Sequence, residues 1–391
     1  LKESSANFTG YEQSPGTKYK MYETGFGKMV QPRLGATWAY RDGDTVFASF
    51  ARYNPAASSL PRAASWDRNL ATTIRAHYDA TGTLFAVEPV ASSSGKLFVE
   101  DMTPRRIDEY VFGTSMQLTP RLTGRAYYRH RRGSHFWEDT NNTARTAFDP
   151  PATVHGVAVP QEPYIADLNA RRAIISGSSY VIAELDGAYT RYNEVTFESE
   201  YRSDKLFVRG SYTWSHYYGN FDQDNSTTSN DANIFVGSSF IADGAGRQLW
   251  NFRDGTLRGD RPHALKLYGF YSLDWNASVG TYIVAQSGQP WETWSYEPYR
   301  TLTSSTSDTS RYAEPAGSNR SDAHWQMDLN YTQNIPLAGG RYNVQVVGDL
   351  FNVFNSQTGY NINPNFHSST YGEPRNYFDP RRFQLAVRIQ F

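Results

Sequence analysis

The sequence contains no cysteine, no long apolar run and no excess of charge of either sign. Without cysteine, the chain has no disulfide scaffold, no thiolate nucleophile and no cysteine-ligated metal site. No segment approaches the roughly 20 consecutive apolar residues that a transmembrane helix requires, which excludes a helical membrane protein. Lysine and arginine total 38 against 39 aspartate and glutamate residues, and this balance argues against a nucleic-acid-binding protein.

Aromatic residues are abundant: they make up 15% of the 391 residues, with 28 tyrosines against 22 phenylalanines. Disordered chains are poor in aromatic residues, so the composition indicates a folded protein. Two fold classes fit. One is a soluble all-β protein, and the other is an outer-membrane β-barrel, in which aromatic girdles mark both membrane interfaces.

The segment 382–391 alternates strictly between apolar and polar residues. Its apolar set is Phe383, Leu385, Val387, Ile389 and Phe391. Period-two alternation indicates a strand with one apolar and one hydrated face. A soluble strand can carry this pattern, but a last strand of this kind is typical of outer-membrane barrels. We therefore interpret the apolar set as an outer-membrane assembly signal, with the barrel assembly machinery as its partner.

The same alternation recurs upstream, with charged residues on the polar face. Such a face does not suit a sandwich core but suits a water-filled or plugged barrel lumen. The predicted lumen residues include Glu194, Glu198, Glu200, Arg202, Arg209, Asp328, Arg382 and Arg388. Because these charges are of both signs, they favour docking of a polar plug over selection for ions of one sign.

Short and long connections alternate along the chain. The short ones carry the Gly, Pro, Asn and Asp residues of tight hairpins, at 41–44, 119–121, 203–205, 274–276 and 336–340. The long ones span about 54–105, 133–190, 218–260, 288–322 and 355–380. Soluble folds have mostly short loops at both ends of a sheet, whereas outer-membrane barrels combine short periplasmic turns with long extracellular loops.

We therefore predict an all-β chain that forms a transmembrane antiparallel β-barrel in the outer membrane of a Gram-negative cell. About eleven strands of roughly ten residues fit the pattern, as a tilted membrane strand requires. They are 30–40, 45–53, 106–118, 122–132, 191–202, 205–217, 261–273, 276–287, 323–335, 341–354 and 381–391.

The odd strand count has a consequence, because single-chain bacterial barrels have an even number of strands. Each strand crosses the membrane once, so a chain with an odd number of strands that ends in the periplasm must begin on the extracellular side. We therefore expect residues 1–29 to be an extracellular loop segment and 30–391 to be the C-terminal part of the barrel of a longer protein, without a plug domain. The alternative is one further strand over 18–27.

Several motifs resemble those of a known family. Gly259 to His263 lead into a predicted strand, Asp349 to Asn355 close the penultimate strand, and Pro380 to Phe383 open the last one. In this order they resemble the C-terminal half of TonB-dependent outer-membrane receptors, in particular the Oar-like group. The resemblance covers essentially the whole chain.

The resemblance implies a barrel of about 22 strands with a plugged lumen, and uptake of a bound ligand that is energised through TonB. It also implies that the N-terminal half of the same receptor supplies the plug and the remaining strands, and that TonB acts through that half. This sequence contains no TonB box and no plug.

No catalytic arrangement is recognisable. The 8 histidines are scattered, and the sequence has no His-Glu-x-x-His spacing, no Gly-x-Ser-x-Gly elbow and no phosphate-binding loop. We expect that the protein is not an enzyme.

Calcium is the one cofactor that the sequence suggests. Asp222, Asp224, Asn225 and Asp231 supply closely spaced oxygen donors of the kind that calcium takes six to eight of. The segment lacks the central Gly and the final Glu of an EF-hand loop, so an ordinary polar loop is the alternative.

Three aromatic residues crowd together after the predicted strand 276–287. We expect Trp291 in the outer aromatic girdle. Trp294 and Tyr296 are predicted ligand contacts, because aromatic faces beside polar groups suit stacking on sugars or peptides.

A basic cluster, Arg129 to Arg132 with His135, lies at the end of a predicted strand. It is either a solvated loop base or a contact with lipopolysaccharide phosphates. Outer-membrane lipid and lipopolysaccharide are expected partners.

Three functions remain open. The first is TonB-dependent uptake of a ligand bound by the long loops, which the mixed lumen charges favour. The second is a passive porin or export pore. The third is a surface adhesin or scaffold that binds a protein partner.

Overall fold

The computed structural model describes residues 2–4, 20–54, 72–78, 81–91, 93–98, 103–141, 153–154, 157–158, 178–184, 188–221, 252, 254–297 and 312–390. Strands dominate these ranges, and short 3₁₀ turns such as Phe26–Met29 and Ala338–Gly340 lie between them. None of the helices in these ranges has the length and hydrophobicity that crossing a membrane requires.

One antiparallel sheet contains eleven long strands, and each pairs with the next along the chain. They are β1 (Arg33–Arg41), β2 (Asp44–Tyr53), β3 (Arg106–Thr119), β4 (Leu122–Ser134), β5 (Thr190–Arg202), β6 (Leu206–Gly219), β7 (His263–Leu273), β8 (Ala277–Gln286), β9 (His324–Leu337), β10 (Tyr342–Phe351) and β11 (Arg382–Gln390). The two-residue strand Gly255–Thr256 adds to the end of β6. The predicted all-β antiparallel fold is confirmed.

Shorter strands lie outside this sheet. They are Lys2–Ser4 with Lys20–Glu23, Thr72–Tyr78 with Leu84–Ala91, Trp137–Asn141 with Ser178–Glu184 and Ser93–Phe98, Thr153–Val154 with Val157–Ala158, Pro290–Trp291 with Asn319–Arg320, and Gly359–Ile362 with Pro374–Tyr377. The segment 18–27, the alternative twelfth strand, thus contributes Lys20–Glu23 to a small separate sheet.

Tight turns join the long strands at one end of the sheet, where the turn residues predict them. Gly43, between β1 and β2, has φ +77°, and a Cβ added there would lie 3.0 Å from the Cβ of Gln117. Asn276 (φ 57°) and Gly339 (φ 69°) close two further hairpins. Gly and Asn enter this left-handed region most readily, which explains their placement.

Strand β10 ends earlier than the sequence predicts, at Phe351 rather than Phe354. Asn352 takes a positive φ of 50° and turns the chain away from the sheet. Its buried side-chain amide donates to the carbonyl oxygens of Ser356 and Asp379, at 3.0 and 2.8 Å. This amide therefore holds both ends of the last loop together.

The register gives the sheet one apolar and one polar face. Ile389 of β11 lies opposite Val344 of β10, which lies opposite Ile335 of β9. Large side chains on this face remain exposed, with 66% exposure for Phe383 and 68% for Trp38. A soluble monomer rarely shows so broad an apolar surface, whereas membrane strands present it to lipid.

The predicted assembly-signal residues Phe383, Leu385, Val387 and Ile389 all lie on this apolar face of β11 and are exposed. Phe391 lies outside the described residues. The predicted alternation is confirmed, and its recognition by the assembly machinery stays a prediction.

The sheet has two open edges within the described part of the chain. β1 pairs only with β2, and β11 pairs only with β10. All residues of both edge strands are exposed. Each edge therefore presents a row of backbone N–H and C=O groups that further strands could pair with.

Candidate functional site

The polar face carries the predicted lumen charges, and their centre is an ion-pair network across β3, β4 and β5. Nη1 of Arg129 lies 2.9 Å from Oε1 of Glu194, and Nε of Arg129 lies 3.5 Å from Oε2 of Glu109. Arg131 Nε contacts the same oxygen of Glu109 at 2.5 Å. Two arginines and two carboxylates thus tie three neighbouring strands together.

The network is partly buried although it lies on the hydrated face. Glu194 is only 6% exposed, and the hydroxyl of Tyr192 also donates to its carboxylate. Beside it, the hydroxyls of the buried Thr196 and the half-buried Thr213 lie 2.8 Å apart. A buried carboxylate needs a cationic partner to offset its desolvation, and Arg129 is that partner.

A second group of charges lies nearer the short turns and is far looser. Arg209 lies 3.8 Å from Glu198 and 3.9 Å from Glu200, and Arg202 lies 3.7 Å from Glu200. The two arginines are exposed, whereas Glu198 and Glu200 are half-buried. Water screens such pairs strongly, so these groups are available to another polar surface.

The remaining predicted lumen residues lie on the same face. Asp328 accepts a hydrogen bond of 2.8 Å from the backbone N–H of Asn352 and so connects β9 to the last loop. Arg382 and Arg388 project from the edge strand β11, where both faces are exposed. Arg382 also lines a cavity of about 240 Å³ beneath the last loop.

At the end opposite the tight turns, the described loop segments 254–262, 287–297, 312–323 and 352–381 pack into a layer, here called the loop layer. Its first anchor is the buried Asp260, from the motif Gly259 to His263. The Asp260 carboxylate accepts from the Tyr217 backbone N–H at 2.6 Å and from Arg320 Nη2 at 2.7 Å. Arg320 also donates to the Gly288 carbonyl, so one carboxylate orders three segments.

The second anchor of the loop layer is the buried Glu292. Its carboxylate accepts from the Trp294 indole N–H at 2.6 Å and the Gly317 backbone N–H at 3.1 Å, and lies 3.3 Å from Arg258. The Arg258 guanidinium stands 5.0 Å above the Trp294 ring, which stacks on Tyr312. Trp294, a predicted ligand contact, is 2% exposed and packs inside the layer.

Tyr296, the other predicted ligand contact, belongs to a row of rings at the surface of the loop layer. It stacks on His367 with ring centroids 4.4 Å apart. The row continues through Phe366 and Tyr371 to Trp291, with centroid separations of 5.3, 5.5 and 5.9 Å. Phe366 is 52% exposed, so part of the row faces solvent.

Sequence reasoning missed Phe366, His367 and Tyr371 as members of this row. They lie in the last loop, whereas Trp291 and Tyr296 lie in the preceding long loop, and only the fold brings the two loops together. A search for a second aromatic group flanked by Asn and Ser would have found them.

Arginines crowd within the loop layer. Burial, and then the neighbouring Arg320, lower the pKa of Arg261. Burial and the nearby Arg258 lower the pKa of Arg375 in the same way. The layer therefore concentrates positive charge around its two buried carboxylates.

The predicted basic cluster is divided by the pleat of β4. Arg129 and Arg131 face the lumen and pair with glutamates, whereas Arg132 points to the apolar side of the sheet, opposite Arg191 of β5. His135 follows β4 with φ 57°.

The predicted calcium ligands Asp222, Asp224, Asn225 and Asp231 lie outside the described residues. Within the described ranges, no group of three or more His, Asp or Glu residues could hold a metal ion.

Comparison with solved structures places the fold among outer-membrane receptors and transporters. The outer membrane transporter YddB from Escherichia coli matches with a TM-score of 0.52 and 12% identity, over 90% of this chain and 39% of that one. The ferripyoverdine receptor of Pseudomonas aeruginosa matches with a TM-score of 0.48 and 14% identity, over 91% and 32%. The copper transporter OprC matches with a TM-score of 0.44 and 12% identity, over 91% of this chain and 39% of that one.

The chain spans between about a third and two fifths of the length of these proteins. At such low identity the likeness concerns the fold alone. No curated protein matches the sequence. The family described as the outer membrane beta barrel domain matches residues 5–279, which is most of the chain. Together with the apolar outer face of the sheet, this match shows that the chain belongs to the outer membrane beta barrel domain family and resides in the outer membrane.

Proposed function

We propose that the chain is the C-terminal barrel portion of a TonB-dependent receptor of the Oar-like group. Residues 30–391 supply about half of a barrel of roughly 22 strands, and residues 1–29 form an extracellular segment. The long loops bind a ligand, which then passes through a plugged lumen. The protein is a transporter and has no enzymatic activity.

The observation that carries this proposal is the pair of open edges on a sheet with a lipid-facing surface. In hydrocarbon, every backbone N–H and C=O needs a partner, so an open sheet does not span a membrane. Strands from the N-terminal half of the same receptor pair with β1 and β11 and close the barrel.

The lumen charges support a plug. Arg202 and Arg209 are exposed, Glu198 and Glu200 are half-buried, and all four are loosely paired, so a polar domain of mixed charge can replace the water around them. A plug docked there connects the ligand site to TonB on the periplasmic side.

The loop layer supports ligand binding at the cell surface. In this proposal Tyr296 stacks on the ligand as part of the surface row of rings, and Trp294 acts from below by fixing the loop that carries Tyr296. We also propose that Asp222, Asp224, Asn225 and Asp231 bind calcium, as their closely spaced oxygen donors suggest.

Two partners follow from the membrane setting. The apolar side chains of the last segment are the signal read by the barrel assembly machinery; they are Phe383, Leu385, Val387 and Ile389 of β11, together with Phe391 of the sequence. Outer-membrane lipid and lipopolysaccharide surround the apolar face of the whole sheet.

Bilayer conductance tests the plugged barrel. The complete protein, purified from outer membranes, is inserted into planar bilayers and the ion current is recorded with and without urea. We expect a closed barrel that conducts only when urea unfolds the plug, and we expect the purified material to contain a plug-bearing segment. A steady current without denaturant would contradict the proposal and favour a passive pore.

A binding experiment separates the adhesin alternative. Binding of a surface partner is measured with the lumen open and blocked, and solute uptake is compared in cells with and without TonB. Binding that persists with a blocked lumen, together with solute uptake that does not depend on TonB, would contradict the proposed uptake function and favour an adhesin.

A further inference from the structure

The cavity beneath the last loop, here called the lumen cavity, lies where the polar face of the sheet meets the loop layer. Its volume is about 240 Å³. Three neighbouring strands contribute one lumen-facing residue each, namely Gln326 of β9, Phe351 of β10 and Arg382 of β11. The last loop covers it with Tyr360, Tyr377, Phe378, Asp379 and Pro380. The lumen cavity therefore combines groups held by strands with groups held by a loop.

Two residues of opposite charge line the lumen cavity without pairing with each other. The Arg382 guanidinium stands 4.7 Å from the centroid of the Phe351 ring, and it has no carboxylate partner within the described ranges. The Asp379 carboxylate likewise has no cationic partner among the residues that the structure describes. Both residues are exposed. A molecule that carries a negative and a positive group could therefore neutralise both.

Hydrogen bonds fix the frame of the lumen cavity. The Asn352 side-chain amide donates to the carbonyl oxygen of Asp379 at 2.8 Å and so holds the loop over the strands. Oδ1 of Asp328 accepts from the Asn352 backbone N–H and from the Gln326 amide, both at 2.8 Å. Because these contacts are made before any ligand arrives, binding costs less conformational entropy than it would in a loose site.

Aromatic rings form the apolar wall of the lumen cavity. The ring of the buried His324 stacks on Phe378 with the centroids 3.5 Å apart, and its Nδ1 lies 3.1 Å from the Thr358 hydroxyl. Tyr360 lies on the other side, with its centroid 5.0 Å from that of Phe378. Apolar and aromatic walls with a few placed polar groups are typical of small-molecule sites.

We propose that the lumen cavity binds an α-amino-acid group with an apolar side chain. Its carboxylate pairs with Arg382, its ammonium pairs with Asp379, and its side chain packs against Tyr360 and Phe378. The planar guanidinium suits a carboxylate because two N–H groups can donate to its two oxygens. Pockets for drug-sized ligands start at about 300 Å³, so the smaller lumen cavity suits a ligand of this size.

This inference rests on the proposed function, because it names the chemical class of the ligand that passes through the lumen. A further strand that pairs with β11 would use the backbone groups of its edge. The side chains of β11 alternate between the two faces, so Arg382 stays on the lumen face in a closed barrel. The site is thus compatible with the completed receptor.

The test uses the complete protein, purified from outer membranes in mild detergent, and isothermal titration calorimetry. The probes are L-phenylalanine, phenylalanine amide, which lacks the carboxylate, and N-acetylphenylalanine, which lacks the ammonium group. The titrations are run at about pH 6, below the α-amino pKa of about 8. We expect phenylalanine to bind about tenfold more tightly than either derivative, because each derivative loses one charge-assisted contact.

Two variants pair each charge of the probe with one residue. Arg382→Gln should weaken phenylalanine binding about tenfold and leave the amide unchanged, because the amide has no carboxylate to lose. Asp379→Asn should weaken phenylalanine binding to a similar extent and leave N-acetylphenylalanine unchanged. Arg341→Gln is the matched control, because it removes an arginine that stands 5.6 Å from the Tyr342 ring centroid, beside a short turn at the opposite end of the sheet. It should bind all probes like the wild type.

Gel mobility of unheated and heated samples shows whether each variant is folded. Absence of phenylalanine binding, or equal binding of the three probes, would overturn the proposal. So would folded variants that weaken all three probes alike, because the two residues would then only shape the cavity. A steady bilayer current without urea would contradict uptake and leave this selectivity intact. A loss of selectivity in a barrel that conducts only in urea would overturn the amino-acid site alone.

Discussion

The two faces of the same strands place similar residues in opposite circumstances. On the lumen side of β4, Arg129 and Arg131 form ion pairs with carboxylates on β3 and β5. On the outward side, Arg132 lies at the rim opposite another arginine. The role of an arginine in this sheet therefore depends on which face of the strand carries its side chain. It also depends on how far along the strand, between the short turns and the loops, the residue lies.

The contrast is sharpest where β9, β10 and β11 run side by side. The outward row is Ile335, Val344 and Ile389, and the lumen row one residue away is Asn334, Gln345 and Arg388. In the lumen row, the Gln345 amide donates to Asn334 Oδ1 at 3.0 Å. A one-residue shift of register would exchange the two rows completely, so the pattern fixes the pairing.

Neighbouring valines offer the largest test of this contrast. Val346 faces outward and Val347 faces the lumen, both in the middle of β10. We expect Val346→Arg to reduce the free energy of unfolding by about 2–4 kcal/mol, because it places a charge in lipid near the midplane. Val347→Arg should cost much less, since water or a polar plug can solvate it. Denaturant titration in lipid vesicles measures both, and equal losses would mean that the assignment of the faces is wrong.

We expect the second-largest loss of stability when the ion-pair network on the lumen face is broken. Arg129→Met leaves Glu194 without its cation in a nearly buried position, and we expect a loss of about 2 kcal/mol, less than for a fully dry pair. Arg209→Met serves as the control, because its pairs are long and exposed and should contribute under about 1 kcal/mol. Adding Glu194→Gln to Arg129→Met should recover part of the loss. No recovery would indicate that Arg129 acts through packing instead of charge.

The loop layer differs from the sheet, because contacts of buried side chains such as Glu292 hold its segments together, whereas backbone hydrogen bonds between strands hold the sheet. Glu292→Gln keeps the shape of the side chain but removes the charge opposite Arg258. We expect the local opening free energy of the layer to fall by about 1.5 kcal/mol, with little change in the unfolding of the barrel. Hydrogen exchange of 312–320 against that of β10 separates the two, and a uniform change across both would contradict a locally stabilised layer.

Much of the sheet could be predicted from the sequence because its determinants are local. Period-two alternation fixes which residues share a face, and Gly43, Asn276 and Gly339 fix where the chain reverses. The residues at which strands end are harder to predict from the sequence. Phe351 ends β10 because the Asn352 side chain closes a loop whose other end is Asp379, and no local pattern encodes that distant contact.

The candidate site was predicted less completely, for the same reason. The sequence indicates that Trp294 is an aromatic residue beside polar groups, but its burial depends on Tyr312 and Arg258, from two other loop segments. The opposition of Arg132 and Arg191 likewise requires the pairing of β4 with β5, which are joined by a long connection. Composition and spacing indicate which residue types are present, whereas contacts between distant loops decide what they do.

The smallest expected effect lies at the base of the loops, outside both faces. The Tyr189 hydroxyl donates to Asp254 at 2.6 Å, and this hydrogen bond, with burial and the nearby negative charge, raises the pKa of Tyr189 from its ordinary value of 10 to about 12. Because the folded state favours the neutral phenol, the contact stabilises the loop base fully below pH 10 and is lost as the pH rises through 12. The difference in ultraviolet absorbance between wild type and Tyr189→Phe should therefore titrate near pH 12. A difference that titrates at pH 10 would mean that Asp254 does not hold the phenol, and that the boundary between strand and loop is set by the backbone alone.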